Sequence, residues 1–345
     1  MTTQEYLNLI DEVNEKGKYK ADWASLTHHK VPDWYMHDKL GVFIHWGIYS
    51  VPAFGSEWYS RSMYDKNVRE FEHHRKTYGE HKDFGYKDFI PMFKAEKFDA
   101  SKWVLLFKKA GIKYVMPVAE HHDGFAMYDT EFNRWNATKM GPCRDVVGEL
   151  KAECENQGLT LCASTHRAEH YFFMNLGRTF DSDVNDDNYR DFYGPAVFCK
   201  EWDSHHLGET TENTHTIGAS KEWLEDWLVR TCELIDKYQL LNNPFVTLSC
   251  ADEFDWPTME MEYNLVRSSC LGGKSQMGIL LNGDIVVCCL DYLGHTFMGN
   301  IYEDKFIDVL NSEKYIAVLK GWNDLNPYFA LCKKCTYRNR FRKEK

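Results

Sequence analysis

The sequence predicts an α/β chain in two parts. The first is an incomplete parallel (β/α) barrel, a half-barrel over residues 1–239. The second is a small α+β domain over residues 240–345. Three observations predict this. Strand-like runs ending in polar tips alternate with helix-like periodicity up to Gln239, which is the grammar of a parallel sheet. A complete barrel needs eight such units in about 250 residues, and only three or four can be found. Site chemistry also divides: fourteen of the fifteen His precede residue 216, while five of the eleven Cys follow residue 269.

The strand-like runs are "KLGVFIHWG", "IKYVMPVAEHHDGF" and "GLTLCASTHRAEH". Between them "SKWVLLFKKAG" and "CRDVVGELKAECENQG" have helical spacing. A further helix is expected over Lys221–Gln239, with Leu224, Trp227, Leu228, Ile235 and Tyr238 on one side. Asn242-Asn243-Pro244 is a turn signal leading to a β-rich run. "QMGILL" and "DIVVCC" flank Asn282-Gly283, which predicts a two-residue hairpin turn. "FIDVLNSEKYIAVLKGW" reads as one helical stretch.

Composition narrows the function. Apolar and aromatic content suffices for a buried core. The net charge of −11 excludes a general nucleic-acid surface, and the basic tail "KKCTYRNRFRKEK" is expected to be a solvated end. No run approaches the roughly 20 apolar residues of a membrane span, and the polar N-terminus lacks a signal-peptide core. A cytoplasmic location follows, in which the cysteines are free thiols or metal ligands rather than disulfides. A half-barrel leaves an unpaired sheet edge, so self-association is expected.

Barrel function sits at the C-terminal ends of strands. Here those ends carry His45, then His121 and His122, then His166. Convergence of these tips would make one site. Zinc is a competing use of clustered His, but the spacing offers no H-E-x-x-H pair, so metal is the weaker use. Trp46, Trp58, Tyr59 and Phe125 neighbour the tips. Aromatic rings beside neutral donors and acceptors suit a sugar.

"PDWYMHDKLGVFIHWGIYSVPAFGSEWYSRSMY", "AGIKYVMPVAEHHDGFAMYDT" and "GPCRDVVGELKAECENQGLTLCASTHRAEHYF" together resemble family 29 glycoside hydrolases, the α-L-fucosidases, over roughly residues 20–239. The resemblance implies that His45, His121, His122 and His166 contact fucose. It also places Glu57 and Trp58 at the family "EW" pair near the sugar. Many members carry Lys before the paired His, where this chain has Glu120. The family mechanism is retaining: one carboxylate attacks the anomeric carbon and a second acts as acid and then base. The family nucleophile is an Asp on a fourth strand resembling "PDVLWFD", reached after a helix ending in "KYQ". This chain reaches Tyr238 and Gln239 and then departs. Asp252 and Asp255, in the acidic tip of "LSCADEFDW", are the positional replacements, and Glu57 is the second carboxylate.

The later cysteines are Cys270, Cys288, Cys289, Cys332 and Cys335. The C-x-x-C pair supplies two thiolates, and Cys270 and Cys288 could complete a set for zinc or an iron–sulfur cluster. Adjacent strand residues face opposite sides, so only one of Cys288 and Cys289 is expected to be a ligand. Cys270, "ILLNGDIVVCCLDY", "FMGNIYEDKFIDVLNSEKY" and "CKKC" resemble the SPASM domain of radical SAM enzymes. That resemblance implies a [4Fe–4S] cluster on Cys270, Cys288, Cys332 and Cys335, with zinc as the alternative metal. The chain has no C-x-x-x-C-x-x-C loop, so S-adenosylmethionine is not expected. The sequence therefore points to a fucosidase-like chain that takes a fucoside or fucosylated glycan, joined to an iron–sulfur tail. The alternatives are an iron–sulfur protein without radical chemistry, or a fusion without joint function.

Overall fold

The computed structural model describes residues 1–20, 22–28, 33–197, 219–240 and 256–342. The chain separates into two compact units, Met1–Val246 and Thr247–Lys345. The turn and strand expected from Asn242, with Asp252 and Asp255, lie outside the described residues.

In the first unit β1 (Gly41–Ile44), β2 (Tyr114–Glu120), β3 (Thr160–Leu161) and β4 (Ser164–Thr165) form a parallel sheet with β2 at its centre. β1 pairs from Gly41 opposite Tyr114 to Ile44 opposite Pro117. β3 and β4 follow one another along the other side of β2, with a register shift between Val118 and Glu120. Parallel neighbours need long crossovers. The first crossover includes the helix Ala100–Lys109 and the second is the helix Val146–Gln157, and these two helices pack together. Each starts at a side-chain cap: Asp99 accepts from Lys102 N at 3.0 Å and Asp145 from Gly148 N at 2.8 Å. Val104, Val115, Val147, Leu150 and Leu161 fill the core between sheet and helices.

The expected helix near residue 230 runs over Lys221–Lys237, capped by Ser220. Its buried face is only partly the expected one: Tyr238 is buried and Leu224, Trp227 and Ile235 are half-buried as expected, but the centre of the face is shifted. Trp223, Val229, Arg230, Glu233 and Leu234 are buried, while Leu228 is exposed. Charge explains the rotation. Buried Arg167 holds Glu120 at 2.7 Å and Asp226 at 2.7 Å, and Arg230 reaches Asp226 at 3.0 Å, so the inward stripe contains ion pairs.

In the second unit β5 (Gly278–Ile279), β6 (Asp284–Val286) and β7 (Phe297–Asn300) form an antiparallel sheet in that order. The β5–β6 hairpin forms, but its turn covers Leu280–Gly283 rather than two residues. Gly283 sits at φ 87°, a left-handed conformation that glycine adopts without strain. The expected single helical stretch is two helices, Phe306–Leu310 and Glu313–Asn323, because Ser312 caps the second through Tyr315 N at 3.1 Å. Ile285, Val287, Met298, Val309, Val318 and Trp322 form a second core, together with Cys270 and Cys332. The C-terminal segment is not wholly solvated as expected. Arg338 is 3% exposed and donates to Ser268 Oγ at 2.9 Å and to the Cys332 carbonyl at 3.1 Å. Among the described residues, no helix is long and apolar enough to cross a membrane.

Candidate functional site

The sheet delivers the histidines because each follows the last residue of a parallel strand. β1 ends at Ile44 and His45 comes next; β2 ends at Glu120 before His121 and His122; β4 ends at Thr165 before His166. The backbone N–H of His166 still donates to the Glu120 carbonyl at 2.8 Å, which keeps the two strand ends level. After His122 the chain must turn sharply, and Gly124 does this at φ 77°. A Cβ there would lie 2.7 Å from the His170 ring.

The rings converge. The His121 and His166 centroids are 4.8 Å apart and stacked, His122 and His166 are 4.8 Å apart, and His45 and His166 are 5.5 Å apart. A ring nitrogen from each of His45, His121 and His166 lies within 4.8 Å of the others. His166 Nδ1 is 3.3 Å from His122 Nε2, and His122 Nδ1 is 3.1 Å from Glu169 Oε2. Trp58 meets His122 edge-on at 5.5 Å, and Phe173 stacks on His122 at 4.7 Å and packs against Trp58 at 5.3 Å.

Burial sets the protonation states. It pushes His166 down to about 4, and His121 well below its ordinary value, with neighbouring imidazoles adding to the effect. His45 is open to solvent on one side, yet burial lowers it too. Burial raises Glu57 above the ordinary carboxylate range. Neutral imidazoles both donate and accept, which suits sugar hydroxyls.

The sequence reading did not single out several neighbours. Tyr49 is 5% exposed, lies 4.8 Å from the His121 ring, and has a buried hydroxyl without a hydrogen-bond partner among the described residues. Asp123 is buried, accepts from the Tyr86 hydroxyl at 2.7 Å and Phe125 N at 3.0 Å, and is pushed up to about 7, mainly by burial. Tyr49, His121 and Asp123 line one pocket with Trp46 and Phe125. Asp123 and Glu169 both lie inside quoted motifs, so their signal was present. Tyr49 does too, in the first of those motifs, whereas Phe173 falls one residue beyond the third.

In the second unit Cys270, Cys288, Cys332 and Cys335 line one pocket, together with Asp291, Trp322 and Arg338. Cys289, the alternative ligand, is exposed. Burial, and then charge at neighbouring Cys289, Cys270 and Cys335, pushes the Cys288 thiol up to about 12. Burial likewise raises Cys332 and Cys335. Four convergent thiols, of which Cys288, Cys332 and Cys335 resist ionising alone, suit a cationic metal centre, which deprotonates its ligands outright.

A family model for alpha-L-fucosidase matches residues 7–262, and a second, for the SPASM iron-sulfur cluster-binding domain, matches residues 270–336. The chain therefore belongs to the alpha-L-fucosidase family and carries a SPASM domain behind it. The fucosidase match runs past the Gln239–Pro244 junction at which the sequence resemblance was seen to stop. The tissue alpha-L-fucosidase of Bos taurus is 41% identical over 134 residues, which is 39% of this chain and 28% of that protein. The Thermotoga maritima alpha-fucosidase in complex with a mechanism-based inhibitor is 34% identical, covering 64% of this chain and 48% of that one, with a TM-score of 0.47. The same enzyme in complex with fucose is 33% identical, covering 64% and 47%, with a TM-score of 0.46. This chain thus spans well under two thirds of these relatives.

Proposed function

We propose that residues 1–239 form part of a (β/α) barrel whose pocket binds the fucose unit of a fucoside or fucosylated glycan. The observation that carries this is the convergence of His45, His121, His122 and His166 against Trp58 and Phe173. In this reading the neutral imidazoles hydrogen-bond the sugar hydroxyls, and the aromatic pair packs on an apolar sugar face. Glu57 acts as the acid/base, which its burial-raised pKa favours. Asp252 or Asp255 acts as the nucleophile of a retaining reaction, which requires the two carboxylates about 5–5.5 Å apart. Hydrolysis of an aryl α-L-fucoside tests this. Turnover that disappears in Asp252→Ala supports it; no turnover by the wild-type chain sinks the hydrolase. In that case fucose binding lost in His122→Ala would still mark a sugar-binding remnant.

Residues 240–345 form the second part, in which Cys270, Cys288, Cys332 and Cys335 hold an iron–sulfur cluster of the [4Fe–4S] type, with zinc as the alternative. Bound there, a cluster would supply one-electron chemistry or a structural staple. The buried Arg338 side chain sets a cation beside its thiolates. Anaerobic reconstitution followed by iron analysis is expected to give about four irons per chain; a colourless product would leave zinc. The thiol-rich composition fits a reducing cytoplasm. Self-association belongs to the same reading. Among the described residues β1 pairs only with β2, and Phe43 is 46% exposed on it. A size-exclusion mass above that of the monomer checks this.

A further inference from the structure

We propose that His45, His121 and His166 form a three-imidazole site for a borderline-soft divalent cation, zinc in the first instance, at the mouth of the sugar pocket. Spacing along the chain gave no such signal, because the ligands come from three different strand ends and no helix pairs them. The fold supplies what the spacing lacks.

One ring nitrogen from each of the three lies within 4.8 Å of the others. Tetrahedral Zn–N bonds of about 2.0–2.1 Å place ligand nitrogens about 3.4 Å apart. Small side-chain rotations close the difference. His121 is 2% exposed, and its Nδ1 is buried without a hydrogen-bond partner among the described residues. A buried polar nitrogen with no partner costs free energy unless something binds it. A ligating imidazole also needs an outer partner that orients its ring. His166 has one: its Nδ1 faces His122, whose other nitrogen faces the Glu169 carboxylate. His45 is the exposed member, so the set has an entry path from solvent. Three protein nitrogens leave a fourth position for water or a ligand hydroxyl. The site reuses sugar-pocket residues, so ion and sugar would compete.

Calorimetric titration of the reconstituted full chain with zinc chloride tests the proposal, since the cluster occupies the thiols. The wild-type chain is expected to take up one zinc equivalent that His45→Ala and His166→Ala each weaken at least about tenfold. His295→Ala, in the second unit, leaves that equivalent unchanged. His45 is exposed, so its variant is expected to keep the wild-type circular dichroism spectrum, which separates ligand loss from misfolding. Equal zinc affinity in wild type and both variants overturns the site, as does no zinc uptake by a folded wild-type chain. A repeat with L-fucose separates the two readings. Zinc uptake weakened by fucose supports a shared pocket. Zinc uptake that fucose leaves unchanged upholds the metal site and counts against the sugar reading.

Discussion

His166 stays neutral down to about 4, and Asp123 keeps its proton up to about 7, both chiefly because burial disfavours charge. The two shifts act on stability with opposite signs. His166, His74 and His170 have folded values lowered to about 4, 4 and 3 from 6.5, so the unfolded chain binds more protons in that window. Stability from these groups rises with pH up to about 6.5 and is flat above it. Asp123 and Asp183 are raised from 3.8 to about 7 and 6, so the folded chain binds more protons there. Their contribution is present at low pH and is lost as pH rises through those values. Asp123→Asn removes one opposing contribution. Its urea midpoint is expected to rise more steeply than wild type between pH 4.5 and 7.5, by an amount set by about 1.4 kcal/mol per pKa unit. An unchanged pH slope would mean that Asp123 is ionised in the folded chain. The strand-end histidines were legible because their position after an apolar run implies where they end up. The directions of Tyr49 and Glu169 were not, although both residues lie within the matching motifs, because a single short 3-10 turn carries no period that fixes a side chain's direction.

The helix Lys221–Lys237 shows what periodicity cannot see. Apolar spacing nominated Leu224 and Leu228, yet the chain turns Arg230 and Glu233 inward. Each buried charge has a partner on another element. Arg230 stands 3.6 Å from Glu120, and Glu233 accepts from Glu131 N at 2.9 Å. A single sequence lists charges without saying which will pair. Glu120 directly precedes His121 and Arg167 directly follows His166, so this network fixes the two strand ends that carry the pocket. Arg167→Met leaves Glu120 buried with a poorer partner and is expected to cost roughly 3–5 kcal/mol in urea unfolding. Adding Glu120→Gln should recover part of that loss. A cost under about 1 kcal/mol would show that Arg230 alone compensates Glu120.

At the scale of the whole molecule the described residues form two cores and two candidate sites, one in each compact unit. The two-part reading was legible because two residue chemistries occupy different stretches of sequence. The closure of the first part was not, because nothing local in a strand states how many neighbours the sheet will gain. Separate sites predict separable losses. Cys332→Ser should abolish iron loading while leaving L-fucose binding within about twofold, compared by metal analysis and calorimetry; loss of both in a folded variant would show that the units depend on each other. The parallel register of β1 and β2 has a further consequence. Because side chains alternate along a strand, a one-residue slip would throw His45 to the opposite face. The pocket therefore exists only in the correctly registered sheet, and any ligand it takes binds the native form alone. Such a ligand at a hundred times its Kd would add about 2.7 kcal/mol to stability. The pocket thus doubles as a gauge of folding: titrating it counts the molecules whose strands are in register.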